Sequence, residues 1–172
     1  THPGEEEILI TLANSLRQKG NNETLIIIAP RNITRSQSIQ NLIKNAGYDV
    51  KLRSKDQLPE KKDYFYLADT MGEMGSLIEI SNLVFVAGSM VAAGGHNPAE
   101  AANFGKAVIM GPYTEKCNAQ INDLVWSGGA IKVENKKNYK NDFVKIIFEL
   151  LNQPHRLQDM GKNALEASGY AQ

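Results

Sequence analysis

Short, wholly apolar runs recur along the chain, and each is followed by a segment with helical spacing. "TLIIIAP" spans Thr24 to Pro30, "DYFYLAD" Asp63 to Asp69, "NLVFVAG" Asn82 to Gly88 and "AVIMGP" Ala107 to Pro112. Runs this short and this rich in β-branched and aromatic residues read as strands buried on both faces. Between them apolar residues return every three or four positions, as at Ile8, Leu9, Leu12, Ala13 and Leu16, or at Ile39, Leu42, Ile43 and Ala46. "YDVKL" and "AIKV" add two shorter strands. Further helices are predicted within 71–81, over "NPAEAANFG", over Gln120 to Trp126, over Asn141 to Leu151, and from Pro154 onward. The αβαβ order with short connections predicts a Rossmann-like α/β fold, a doubly wound parallel sheet with helices on its faces.

With 172 residues the chain suffices for one such domain. It opens on a helix and on Thr1, so a strand before it would complete the first βα unit, and a piece of a longer protein is expected. Lys plus Arg and Asp plus Glu both number 19, which gives no electrostatic footprint for nucleic acid. No apolar run approaches the ~20 residues needed to span a bilayer. Cys117 is the lone cysteine, so no internal disulfide forms. The glycine fingerprint of dinucleotide sites, the P-loop, the zinc motifs and the hydrolase elbow are all missing. No metal and no cofactor is therefore expected.

In doubly wound sheets ligands bind beyond the carboxyl ends of the strands, so the residues just after each strand carry the function. Pro30 and Arg31 follow the first strand, where a planar guanidinium either pairs an anion or simply faces solvent. Met71, Gly72, Glu73 and Met74 follow "DYFYLAD". The methionines there suit either a flat base or the core. After "NLVFVAG" comes Ser89, and then "GGHNPAE". Asn97 is a good N-cap, Pro98 a good first helical residue, and Glu100 fits the third position of a capping box. Capping leaves Gly94, Gly95 and His96 unexplained. Two glycines there free backbone N–H groups to converge on a phosphate or carboxylate, and Glu100 could accept from the hydroxyls of a ribose.

"THPGEEEIL", "PR", "LADTMGEM" and "VFVAGSMVAAGGHNPAEAANFGKAVIMGP" together resemble, in order and spacing, the 3-deoxy-D-manno-octulosonic acid (Kdo) transferases of lipopolysaccharide synthesis. The resemblance covers nearly the whole chain and is strongest from Ala68 to Pro112. It implies the C-terminal, donor-binding domain of a GT-B glycosyltransferase. On this view residues 1–172 form a single nucleotide-sugar-binding domain for CMP-Kdo, and the N-terminal acceptor domain lies outside the chain. Arg31, beside Pro30, would contact the donor phosphate or carboxylate. The loop from Met71 through Gly72 and Glu73 to Met74 would border the cytosine. Gly94, Gly95, His96 and Asn97 would hold the phosphate and the sugar acid, and Glu100 the ribose. Ser89, and His2, Gly4, Glu5 and Glu6 in the opening loop, would face the interdomain cleft. Ala29 and Asn32 stand where the family usually has histidines, and Ala87 where it usually has glycine.

The resemblance further implies inverting, metal-independent transfer of Kdo from CMP-Kdo to a lipid A precursor (lipid IVA), with the general base in the absent domain. The isolated domain would bind CMP-Kdo or CMP without transferring. It would itself be soluble, and the full-length protein would work at the cytoplasmic face of the Gram-negative inner membrane. A GT-B donor domain for a UDP- or GDP-sugar and a non-catalytic nucleotide-binding module are the competing readings.

Overall fold

The computed structural model describes residues 1–169. Two compact units make up the chain, the first Thr1–Met74 and the second beginning at Gly75.

In the first unit α1 (Glu5–Gln18) is followed by β1 (Ile26–Ile28), α2 (Ser36–Asn45), β2 (Val50–Leu52) and β3 (Phe65–Leu67). The three strands form one parallel sheet in the order β1-β3-β2. β3 is central and every residue of it is buried, as a parallel strand covered on both faces requires. Acidic Glu5, Glu6 and Glu7 lie in the first turn of α1 and Arg17 in its last, matching the helix dipole. Leu9, Leu12, Ala13 and Leu16 make the buried stripe of α1, and Ile39 and Ile43 that of α2. Tyr48 packs edge-on against Tyr64 and Phe65, and Arg17 lies 3.9 Å from the centre of its ring.

The second unit holds α3 (Met74–Ile80, whose first residue closes the first unit), β4 (Leu83–Phe85), α4 (Ala99–Asn103), β5 (Ala107–Met110), α5 (Asn118–Trp126), β6 (Ala130–Lys132), α6 (Tyr139–Leu151) and α7 (Pro154–Ala167). Its sheet is again parallel, in the order β4-β5-β6. Each of Ala107, Val108, Ile109 and Met110 in the central strand is 0% exposed. Here α7 packs unusually close. A Cβ on Gly161 would lie 2.2 Å from the carbonyl oxygen of Gly105, so only glycine lets the helix approach.

Every element expected from the apolar spacing is present, and the parallel α/β architecture is as expected. Two single-turn 3-10 segments, Ile33–Arg35 and Arg53–Lys55, were not foreseen. Three residues carry too little periodicity to announce themselves. Among the described residues no helix is long and apolar enough to cross a membrane.

Candidate functional site

Because all three strands of the first unit are parallel, the loops that follow them leave the same edge of the sheet. The loop after β1 carries Pro30, Arg31 and Asn32. Asn32 caps the turn behind it, its side-chain oxygen accepting from Thr34 N at 3.0 Å and from Thr34 Oγ1 at 2.7 Å. This local demand explains an asparagine at that position. Exposed Arg31 and half-buried His2 line one open cleft of about 370 Å³, with Pro3, Asn32 and Arg35. Two residues chosen from sequence, 29 positions apart, thus share one cavity whose charged walls are cationic.

The opening loop is held over this cleft by buried acid groups. Gly4, at φ 96°, turns the chain into α1. Glu5 Oε2 accepts from the backbone N–H of His2 at 2.8 Å. Glu6 pairs with Arg35 at 3.0 Å and accepts from the Thr1 hydroxyl. Arg35 also donates to the Thr1 carbonyl at 3.2 Å. Glu5 and Glu6 are only 0% and 1% exposed. These two carboxylates, expected to face a ligand, instead fasten the segment that carries His2. Burial of an anion demands such partners, and the loop's own amide and Arg35 supply them.

After β3 the chain forms an exposed tip at Met71 and Gly72 and then enters α3. Gly72 has φ 86° and open space where a side chain would be. Met71 is 71% exposed and Met74 44%, so neither is a core methionine. Glu73 accepts from Arg53 Nε through both oxygens, at 3.0 and 3.1 Å, and from the Thr70 hydroxyl. Hydrogen bonds from Thr70 and then Arg53 hold its carboxyl below the usual glutamate range. At the other end of the loop Asp69 accepts from Ser54 N at 2.8 Å, Ser54 Oγ at 2.6 Å and Ser36 Oγ at 3.0 Å.

In the second unit the loop after β4 departs from the sequence expectation. Gly94 and Gly95 do adopt positive φ, 88° and 78°. The N–H groups of Gly95 and His96, however, close the loop on itself. Gly95 N donates to the Gly88 carbonyl at 2.8 Å and His96 N to the Ala87 carbonyl at 3.0 Å. Those two donors are engaged, so they do not form an open anion nest. A tight return of the chain beside β4 must satisfy its buried backbone groups, and here it does so internally. The Lys116 stem crosses Gly94: a Cβ there would lie 2.8 Å from Lys116 Cγ.

Ser89 also has a different job from the one expected. It is 0% exposed, donates to the Val86 carbonyl at 2.7 Å and accepts from Gly111 N at 2.9 Å. It ties the loop after β4 to the loop after β5. The helix starts at Ala99, so the N-cap position falls on Pro98 rather than on Asn97 as anticipated; Asn97 lies one residue earlier, and its side-chain oxygen accepts from Ala99 N at 2.9 Å. Glu100 is exposed at the start of α4, and its carboxylate has no hydrogen-bond or ion-pair partner among the described residues. It therefore does not close a capping box and stays available.

Sequence reasoning missed Arg53, Ser54 and Asp69. The only signal was position, since all three lie directly after strands β2 and β3.

No known family model matches the chain. It is 30% identical over 166 residues to the 3-deoxy-D-manno-octulosonic acid transferase of Rickettsia prowazekii, covering 96% of this chain and 35% of that protein. The enzyme of the same name from Haemophilus influenzae is 31% identical over 165 residues, covering 96% of this chain and 38% of that one. Among solved structures, the C-terminal CMP-Kdo binding domain of WaaA from Acinetobacter baumannii has the same fold. Its TM-score is 0.87 at 24% identity, covering 97% of this chain and 84% of that one. The chain spans a little over a third of the length of these curated relatives. By sequence this chain is a homologue of the 3-deoxy-D-manno-octulosonic acid transferases, matching that share of their length.

Proposed function

We propose that the chain binds CMP-Kdo as the donor-binding domain of a transferase that moves Kdo to a lipid A precursor. The observation that carries this reading is the likeness over nearly the whole chain to named Kdo transferases, joined to the fold of a domain named for CMP-Kdo binding. The guanidinium of Arg31 in the cleft beside His2 supports it, because CMP-Kdo is an anion through both its phosphate and its sugar carboxylate.

In this reading the acceptor hydroxyl oxygen attacks the anomeric carbon of Kdo from the face opposite CMP. The bond from that carbon to the phosphate oxygen breaks, and CMP departs with the electron pair. The hydroxyl proton passes to a carboxylate base of the N-terminal acceptor domain. The residues of this chain serve the donor side. Arg31, following Pro30, offsets the charge growing on the departing phosphate or the charge of the sugar acid. Met71 and Gly72, with Glu73 and Met74, border the cytosine. His96, Asn97 and the turn at Gly94 and Gly95 flank the sugar acid, and Glu100 accepts from the ribose. The lipid acceptor puts the whole protein at the cytoplasmic face of the inner membrane.

NMR titration of the chain with CMP, UMP and GMP tests the reading. CMP is expected to bind most tightly and to shift Arg31, Gly72 and Glu100. A preference for UMP or GMP would move the assignment to a different nucleotide sugar. A chain that takes none of the three is not a donor domain. Kdo transfer to lipid IVA by the chain alone would show that the base does not lie in another domain.

A further inference from the structure

We infer that Arg53 and Ser54 are positioning residues that hold the Met71–Gly72 tip in a preformed shape, so that a nucleotide base meets it without reordering the loop. The inference rests on the donor reading for the identity of the ligand. The clamp itself rests on geometry alone.

Both ends of the loop after β3 are fastened to one short turn after β2. At the start of the loop, Asp69 takes the amide and hydroxyl of Ser54 at 2.8 and 2.6 Å. At its end, Glu73 takes Arg53 Nε through both carboxylate oxygens. Arg53 and Ser54 are consecutive, so a single rigid turn grips the loop at two points three residues clear of each other. Arg53 is oriented in turn by Asp56, at 2.7 Å. Between the two grips lie only Thr70, Met71 and Gly72, and the Thr70 hydroxyl also binds Glu73. A span this short with both ends fixed has few conformations left.

Stability of the fold does not account for the arrangement. The side chains of Arg53 and Glu73 are 38% and 37% exposed, and ion pairs so open to water contribute little to global stability. What a charge-assisted bond from one Arg53 N–H, shared by both Glu73 oxygens, does supply is a local tether at that end of the loop. Its effect falls on a tip that presents a 71% exposed methionine beside a glycine with open space over it. A thioether next to bare backbone is a surface suited to a flat ring. Left loose, that tip would have to be ordered at each binding event, and affinity would fall accordingly.

The test uses the 172-residue chain with Arg53→Ala, Arg53→Lys, Glu73→Gln and the Arg53→Ala/Glu73→Gln double variant. CMP affinity is measured by calorimetry, amide hydrogen exchange at Met71 and Gly72 by NMR, and the thermal midpoint alongside. Arg53→Ala and Glu73→Gln are each expected to weaken CMP binding by about tenfold and to speed exchange at the tip, with the midpoint nearly unchanged. The double variant should be no worse than the weaker single one, since both remove the same contact, and Arg53→Lys should recover part of the loss. Additive losses, or exchange and affinity both unmoved by Arg53→Ala, would overturn the inference. If the parent chain binds no CMP, the donor reading falls, while exchange at Met71 and Gly72 still decides whether the clamp orders the tip.

Discussion

Arg35 lies 3.0 Å from Glu6 across 29 residues of sequence, and the Glu6 side chain is only 1% exposed. The pair joins the start of α1 to the turn after β1, and Arg35 lines the cleft that holds His2 and Arg31. Arg35→Ala would take from a buried carboxylate its guanidinium partner and leave it the Thr1 hydroxyl, with the Thr1 amino group nearby. Breaking one side of a buried ion pair costs about 3 kcal/mol or more. Urea denaturation should show a loss of that order. Arg35→Met, which keeps the stem, should lose nearly as much, because the missing element is charge rather than packing. A loss below about 1 kcal/mol would mean that water reaches Glu6 and that the pair behaves as a surface one.

Asp69 makes stability depend on pH in a defined direction. Burial pushes its pKa up, but the hydrogen bonds from the hydroxyl and amide of Ser54 and from Ser36 outweigh this and leave it below the ordinary aspartate value. A carboxyl with a depressed folded-state pKa stabilises the fold at all pH values above its unfolded pKa. That contribution is lost as pH falls below about 4 and through the folded value. Asp69→Asn should therefore be less stable than the parent at pH 7 by about 1 kcal/mol. The gap should narrow as pH is lowered towards 3. Thermal melts of both proteins across that range measure it; a gap that widens on acidification contradicts the assignment.

The two glycines before His96 separate backbone strain from crowding. Both have positive φ, 88° at Gly94 and 78° at Gly95, so alanine at either position is strained. At Gly94 the new Cβ meets the stem of exposed Lys116, which can swing aside. At Gly95 it meets Cys117 Sγ at 3.0 Å, and Met110 Cε and the Tyr113 carbonyl oxygen at 3.1 Å, all close to the buried β5 edge. Gly94→Ala is expected to cost about 1 kcal/mol. Gly95→Ala should cost about 2–3 kcal/mol, strain and overpacking together. Equal losses from equilibrium unfolding would show that Lys116 is as fixed as the β5 edge.

The elements were legible in the sequence because their cause is local. Four apolar runs and the helical stripes between them needed only spacing, and a central parallel strand such as Ala107–Met110 must be apolar throughout. The residue types after each strand were legible too, and so was the start of a helix close to Asn97. What the sequence does not carry is the partner of each loop side chain. Arg53 meets Glu73 and Ser54 meets Asp69 only because β2 and β3 are neighbours in the β1-β3-β2 sheet, and the order of strands cannot be read from spacing. For the same reason Ser89 read as a ligand contact, although its partner Gly111 waits 22 residues away, just after the next strand. The "GG" before His96 correctly announced positive φ. It misled about the N–H groups, because those of Gly95 and His96 are taken by the carbonyls of Gly88 and Ala87 in the same loop.

Glu100 remains the residue for which a capping role and a ligand role make opposite forecasts. Its carboxylate is exposed, and Ala99 N at the start of α4 already donates to the Asn97 side chain at 2.9 Å. Glu100→Gln should therefore leave the thermal midpoint within about 0.5 kcal/mol of the parent. A carboxylate accepting from ribose hydroxyls makes charge-assisted bonds, so the same change should weaken CMP binding by about tenfold. The 2′-deoxy nucleotide sharpens the comparison. The parent chain should prefer CMP over dCMP, and Glu100→Gln should lose most of that preference, because the hydroxyl that distinguishes the two ligands would then have lost its anionic acceptor. If CMP affinity and the CMP-to-dCMP ratio both survive the substitution, the ribose is held elsewhere and Glu100 does no more than favour the positive end of a short helix.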